Sequence, residues 1–103
     1  MKPVDLRNAQ FSQLKEQLTG LRKTVWRAWL AHGPGTTREV AARSGIDILT
    51  FRPRSSELFQ LRVLELTYHF GHEGVYCAKT LEQWEAWFNS NPDLIPVGQI
   101  QMF

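Results

Sequence analysis

The sequence predicts a mainly α-helical α+β fold in which one β-hairpin follows the helices. Two observations predict it. Up to Leu61 apolar residues recur every three or four positions, which is the spacing of helices with one buried side. From Leu64 to Ala78 apolar and polar residues alternate, and Gly71-His72-Glu73-Gly74 divides the alternation into two strands. The length of 103 residues fits one compact domain with short extensions.

The N-terminal third predicts two helices. An apolar stripe with gaps of three and four runs from Phe11 to Ala28. Thr19-Gly20 interrupts the stripe, and because glycine is a poor helix former we expect a short first helix and a longer one over about residues 19–31. The segment 32–35, which contains glycine and proline, ends the second helix.

Two helices joined by a glycine turn are predicted next. Thr36-Thr37-Arg38-Glu39 has the pattern of a capping box and opens a helix that ends at Ser44. Gly45 is the predicted turn. Thr50 is the predicted cap of the following helix, over residues 50–61, so that Pro53 falls in the first turn, where its missing N–H costs little.

A last helix is predicted after the hairpin. Thr80 and Gln83 are spaced as a capping box, and the apolar face that follows consists of Leu81, Trp84, Trp87 and Phe88. Segment 89–92 ends this helix, and the remaining residues form an extended tail. The aromatic cluster either packs on the domain's own helices or forms a dimer interface, and the stripe near the N-terminus leaves the same alternatives open. We predict a homodimer.

Composition argues against several classes of protein. No stretch reaches the roughly 18 apolar residues that cross a membrane. The N-terminus lacks the apolar run of a signal peptide, and a single cysteine, Cys77, excludes an internal disulfide, so we expect a cytoplasmic protein. Cys77 lies in an apolar strand and is interpreted as a small core residue.

Neither a metal site nor an enzyme is predicted. His69, His72 and Cys77 together lack the fourth ligand that a structural zinc site normally needs. The sequence contains no phosphate-binding glycine loop, nucleophile elbow or His-Glu-x-x-His motif. We therefore expect no catalytic residue and no cofactor.

Charge is unevenly distributed along the chain. Residues 1–62 hold eleven lysine and arginine residues against five acidic ones, whereas residues 63–103 hold Lys79 against five acidic residues. A basic body with an acidic C-terminal part fits binding to a polyanion through one face, although an ordinary solvated surface would show the same pattern.

The order helix, short helix, turn, helix, hairpin over residues 36–78 resembles the winged helix-turn-helix superfamily, in particular its small MarR-like and phage-encoded members. Ala41, Gly45 and residues 58–65 occupy the places of the family pattern. Arg62 stands where the family usually has glycine, at a position that often needs a left-handed backbone, and Ser55 stands where an apolar residue is usual.

The resemblance implies a DNA-binding protein of bacterial or phage origin that acts in transcription regulation or DNA replication. Double-stranded DNA would be the partner, read by helix 50–61 and by residues 64–78 as the wing. We divide the chain into an N-terminal helical extension (1–18), a winged helix domain with a C-terminal helix (19–90) and an extended tail (91–103).

Helical spacing selects the residues that could face DNA. A step of about 100° per residue puts Phe51, Ser55, Leu58 and Arg62 on the inner side of helix 50–61. Arg52, Pro53, Ser56 and Gln60 lie on the opposite, solvent side. Arg52, Ser56 and Gln60 are expected to face the groove, because arginine suits guanine, glutamine suits adenine and serine suits a base or phosphate. The predicted DNA-binding residues are Thr36, Thr37, Arg38, Thr50, Arg52, Arg54, Ser56, Gln60, His69, His72 and Lys79. Arg54 could instead be held by Glu57, and residues 36–38 could serve as a cap alone.

The C-terminus carries a second resemblance. Gln99-Ile100-Gln101-Met102-Phe103 is similar to the pentapeptide that binds the bacterial sliding clamp. The resemblance implies that Gln99 hydrogen-bonds at the edge of an apolar pocket that Met102 and Phe103 fill, and that Ile100 takes the place of the usual leucine as a further contact. Alternatively these side chains fold back on their own domain or on a second subunit. The alternative function is a protein–protein interaction module tethered to the clamp by this tail.

Overall fold

The computed structural model describes residues 12–90, which form an α+β fold of five helices and one three-stranded antiparallel sheet. The elements are α1 (residues 12–17), α2 (Gly20–His32), β1 (Gly35–Thr36), α3 (Thr37–Ser44), α4 (Ile48–Gln60), β2 (Leu64–Phe70), β3 (Glu73–Ala78) and α5 (Leu81–Ser90). The α+β class and the two N-terminal helices that the sequence predicts are confirmed. Strand β1 was not predicted, and it pairs with β3 in a sheet of order β1-β3-β2.

The core joins the helices and the base of the hairpin. Leu14 and Leu18 of the N-terminal segment are buried in the same cluster as Val25 and Trp29 of α2 and Phe51 of α4. Because these side chains pack together, most of the described apolar stripe is used inside one copy of the chain. The boundary between residues 18 and 19 stays a prediction.

Helix α3 has the predicted ends. The hydroxyl of Thr36 accepts a hydrogen bond from the N–H of Glu39 at 3.1 Å, and the Glu39 carboxylate accepts one from the N–H of Thr36 at 2.9 Å. At the other end Gly45 adopts a left-handed conformation with φ +74°, and the amides of Gly45 and Ile46 donate to the carbonyls of α3. This is a C-terminal cap of the Schellman type, and it turns the chain from α3 into α4.

The predicted start of α4 was wrong. The helix begins at Ile48, and Asp47 is its cap, with a carboxylate that accepts from the N–H of Leu49 at 3.2 Å. The carbonyl of Asp47 accepts from the N–H groups of Thr50 and Phe51, so Thr50 belongs to the first helical turn rather than preceding it. Pro53 consequently lies inside the helix, beyond the first turn. Aspartate is among the best N-cap residues, and the apolar residues 48 and 49 hid this start in the sequence.

The hairpin turn is tighter than predicted. Gly71 and His72 form the turn, Gly71 with φ +65°, while Glu73 and Gly74 already belong to β3. Phe70 pairs with Glu73 across this two-residue connection.

A β-bulge at Thr67 divides β2 into two halves with opposite orientation. Leu66 pairs with Tyr76, but Tyr68 pairs with Val75, so one extra residue lies in β2. The Thr67 hydroxyl donates to the carbonyl of Val75 at 2.8 Å. Because side chains alternate along a strand, the bulge moves Tyr68 and Phe70 to the face opposite Leu64 and Leu66. The simple alternation of the sequence therefore describes only the first half of β2.

Helix α5 packs on the body of the domain. The predicted capping box is confirmed, since Thr80 and Gln83 exchange hydrogen bonds of 2.9 and 3.2 Å. Trp84 is 1% exposed and its indole N–H donates to the carbonyl of Leu61 at 3.1 Å, while its ring stacks on Phe88 at 5.2 Å. Trp87 is partly buried against the same core. The aromatic cluster of α5 therefore packs on its own domain, which is the first of the two alternatives left open by the sequence.

The position of Cys77 differs from the one that the sequence predicts. Cys77 is exposed, so its interpretation as a core residue was wrong; it pairs with exposed Glu65 on the outer side of the hairpin. Within residues 12–90 no helix is both long and apolar enough to cross a membrane.

Candidate nucleic-acid interface

Helix α4 has one buried and one exposed side, as its spacing predicts. Phe51, Ser55 and Leu58 are buried, and Arg52 and Ser56 are exposed on the other side. Gln60 at the end of the helix is partly buried. Pro53 is exposed as the same spacing predicts, and the earlier start of α4 adds Leu49 to this side. We call Leu49, Arg52, Pro53 and Ser56 the outer row of α4.

Ser55 holds α4 against α2. Its hydroxyl accepts a hydrogen bond from the indole N–H of Trp29 at 2.9 Å and donates one to the carbonyl of Phe51 at 2.8 Å. The rings of Trp29 and Phe51 lie 5.5 Å apart between centroids. A hydroxyl at this apolar position is explained by the buried indole N–H, which needs an acceptor.

A buried carboxylate provides a second link between α2 and α4. Glu57 is 2% exposed, and its two oxygens lie 2.7 Å from Arg22 Nε and 2.7 Å from Arg54 Nη2. Arg22 also donates to the side chain of Gln17 at 2.8 Å. Of the two alternatives that the sequence left open for Arg54, the structure shows the pair with Glu57. The role of Arg22 was missed because the pair spans 35 residues and no local pattern indicates it.

The guanidinium of Arg54 is therefore bound within the protein itself. Its guanidinium binds Glu57, its Nε is buried with no hydrogen-bond partner among residues 12–90, and 30% of its side chain is exposed. Of the two arginines in α4, Arg52 is the exposed one.

Arg62 does not lie on the inner side of α4, where the helical projection put it. The helix ends at Gln60, and Arg62 is exposed with φ +67°. The amides of Leu61, Arg62 and Val63 return to carbonyls of the last helical turns. The left-handed backbone expected from the family pattern is thus present, in a residue for which it costs about 1–2 kcal/mol relative to glycine.

Three of the predicted segments converge near the hairpin turn. A small cleft of about 140 Å³ is lined by Thr36, Thr37 and Arg38 from the start of α3, by Arg52 of α4, and by Glu73, Gly74 and Tyr76 of β3. The guanidinium of Arg38 lies 3.1 Å from the Glu73 carboxylate, and the two side chains are 73% and 43% exposed. Arg52 of the outer row is therefore next to the hairpin and to the first turn of α3.

The other predicted residues are placed differently. Thr36 is 3% exposed and its hydroxyl is used in the capping box, while Thr50 is partly buried in the first turn of α4. His69 and His72 are exposed near the hairpin turn. Lys79 lies at the opposite end of the hairpin, where its ammonium is 3.2 Å from Glu65 and 5.5 Å from the centre of the Trp87 ring. The structure therefore does not bring Lys79 to the cleft that contains Arg52.

A larger cleft lies on the outer side of the hairpin and was missed by sequence reasoning. It has a volume of about 420 Å³, and the bulge at Thr67 turns Tyr68 and Phe70 into it. These rings are 60% and 73% exposed. Glu39 and Arg43 of α3 line the opposite wall, and Arg43 donates to the carbonyls of His32 and Pro34.

The pKa of Glu39, whose carboxylate caps α3, is shifted in the folded protein. The hydrogen bond from the Thr36 backbone N–H holds the pKa of the Glu39 carboxyl below its usual value, and the Thr36 side chain and Arg43 act in the same direction.

Among residues 12–90 no group of three His, Cys, Asp or Glu side chains could hold a metal ion.

Comparison of the chain with models of protein families, with curated proteins and with solved structures gave no match.

Proposed function

We propose that this chain is a winged helix-turn-helix protein of bacterial or phage origin that binds double-stranded DNA in the cytoplasm, in transcription regulation or DNA replication. The observation that carries the proposal is the outer row of α4, which is open to solvent and whose Arg52 lines one cleft with the first turn of α3 and the hairpin. An α-helix fits the major groove of DNA, and a hairpin beside it can reach the flanking backbone or the minor groove. The order helix–turn–helix–hairpin supports the same proposal.

The side chains at this surface suit separate parts of a DNA site. Arg52 is suited to guanine and Ser56 to a base edge or phosphate, while Gln60 would contribute through its exposed part. Arg38 at the start of α3 and the histidines His69 and His72 of the hairpin are suited to phosphate oxygens. Arg54 is a positioning residue in this proposal, since its guanidinium binds buried Glu57.

Selection from a random duplex library, followed by sequencing and by titration at several salt concentrations, tests the proposal. A DNA-binding protein enriches one motif, and the logarithm of its affinity falls with the logarithm of salt concentration by about 0.9 per phosphate contact. Failure to enrich any sequence, together with no retention of duplex at low salt, would exclude DNA as the partner. The same experiment tests the proposed homodimer, because a dimer selects half-sites about one helical turn apart.

The second candidate function is a protein–protein interaction module. It is favoured by the outer cleft of the hairpin, where Tyr68 and Phe70 offer apolar surface to solvent. An apolar protein contact should depend weakly on salt, in contrast to DNA binding.

The sliding clamp is the partner proposed for the tail. Gln99, Ile100, Met102 and Phe103 lie outside the described residues, so this proposal rests on the sequence. Titration of a peptide of residues 91–103 against a purified bacterial sliding clamp should give a dissociation constant on the order of micromolar, or about −8 kcal/mol. A peptide lacking Met102 and Phe103 is the matched control. Absence of binding at hundreds of micromolar would show the likeness to be accidental.

A further inference from the structure

Leu49 is an apolar side chain in the first turn of α4, within the outer row of the proposed DNA-binding surface. It is 80% exposed, the most exposed of the large hydrophobic residues in the described part of the chain. Its backbone N–H binds Asp47 and thereby helps to cap α4, but this bond places no demand on the side chain.

The neighbours of Leu49 define the chemistry of this end of α4. Arg52 and Pro53 lie three and four residues further on, which puts all three side chains on one side of the helix within one turn. The carboxylate of Glu57, the one acidic side chain of α4, is buried and bound by two arginines. The four side chains of the outer row thus combine apolar surface with one guanidinium, and the carboxylate nearest to Leu49 is that of the exposed cap Asp47, which accepts from the Leu49 N–H.

We infer that Leu49 contacts the 5-methyl group of a thymine next to the guanine that Arg52 contacts, an inference that rests on the proposed function. The thymine methyl is the apolar group that base pairs present in the major groove, whereas guanine presents two acceptors that suit a guanidinium. An exposed leucine one helical turn before an exposed arginine matches these two features in adjacent positions. Leu49 is then a specificity-determining residue, and Pro53 widens the apolar surface beside it.

Uracil scanning of the selected duplex tests this inference. Replacing one thymine at a time by uracil removes the 5-methyl group and leaves base pairing unchanged. One position next to a conserved guanine of the selected motif should weaken binding of the wild-type protein about fourfold, which corresponds to roughly 0.8 kcal/mol for one methyl group removed from contact. The Leu49→Ala variant should bind the thymine and uracil duplexes about equally, whereas Leu49→Met should retain most of the discrimination.

Leu21→Ala is the matched control, because Leu21 is a 55% exposed leucine on α2, outside the outer row. This variant should keep the full sensitivity to uracil. Circular dichroism of each variant checks that the helices are intact. If the protein binds its selected duplex but no uracil substitution weakens binding, or if Leu49→Ala retains the uracil effect, the inference is wrong and the proposed function stands. If no duplex is bound at all, both fail, and the exposed leucine is explained better by a protein partner.

Discussion

The indole N–H of Trp29 on α2 donates a 2.9 Å hydrogen bond to the hydroxyl of Ser55 on α4, and both residues are buried. The Ser55 hydroxyl in turn donates a hydrogen bond to the carbonyl of Phe51 within its own helix. Because Ser55 lies on the inner side of α4 between buried Phe51 and Leu58, this contact stabilises the packing in which that side faces the core and Arg52 faces solvent.

Replacing Ser55 by alanine tests this contact. The variant leaves the buried indole N–H without its acceptor, which should lower the free energy of unfolding by about 1–3 kcal/mol. Ser56→Ala is the matched control, since Ser56 is exposed in the same helix and its loss should cost less than about 0.5 kcal/mol. Urea denaturation measures both values. Equal stabilities of the two variants would mean that the hydrogen bond contributes little.

Glu57→Gln tests the buried carboxylate. The substitution removes the negative charge that two arginines share, and breaking such a buried ion pair should cost about 3 kcal/mol of unfolding free energy. Glu65→Gln removes a carboxylate that is 57% exposed and paired with Lys79, so its cost should be below about 1 kcal/mol. Denaturation of the two variants side by side gives the comparison. A Glu57→Gln variant as stable as Glu65→Gln would contradict the structural role of this cluster.

Arg52→Ala tests base recognition by α4. If Arg52 contacts a guanine, the variant should lose about 1–3 kcal/mol of binding free energy on the selected duplex and much less on random duplex. Fluorescence anisotropy at constant salt measures both affinities. Equal losses on both duplexes would make Arg52 a phosphate contact, and no loss on either would mean that α4 faces something else.

Glu73→Gln tests the ion pair near the hairpin turn. Arg38 lies 3.1 Å from Glu73 in the free protein, so removing the carboxylate frees the guanidinium and removes a charge that repels phosphate. DNA affinity should rise about two- to fivefold, corresponding to about 0.5–1 kcal/mol for an exposed pair. Glu82→Gln on α5 controls for the change in net charge. If the double variant Arg38→Ala, Glu73→Gln gains as much as Glu73→Gln alone, Arg38 does not mediate the effect.

Acidification should weaken the start of α3. The pKa of Glu39 is lowered in the folded protein, chiefly by the Thr36 backbone N–H. Its contribution to stability is therefore complete above the unfolded pKa and is lost as the pH falls through the lower folded pKa. Glu39→Gln keeps an acceptor that does not titrate, so its urea midpoint should fall less than that of the wild type between about pH 6 and about pH 3. Glu82→Gln controls for the loss of one carboxylate, and parallel curves for wild type and Glu39→Gln would refute the prediction.

Much of the local structure is determined by the sequence alone. The capping boxes at Thr36 and Thr80 are predictable because each is completed within four residues. The left-handed turn at Gly45 and the two sides of α4 follow from residue type and from the helical period in the same way. The helical period alone is therefore sufficient to predict that Arg52 and Ser56 are exposed.

Other features were decided only by the tertiary structure. Glu57 takes Arg22 as a partner from another helix, and a serine at an apolar position is explained once the indole of Trp29 lies against it. The bulge at Thr67 reverses the orientation of the second half of β2, which no alternation of apolar residues reveals. These contacts depend on which residues distant in the chain come together, because a buried polar group requires a partner wherever the fold provides one. Local spacing thus determined which residues of α4 face outward, and the tertiary structure decided which arginine stays free there, since buried Glu57 binds Arg54 and leaves Arg52 in solvent.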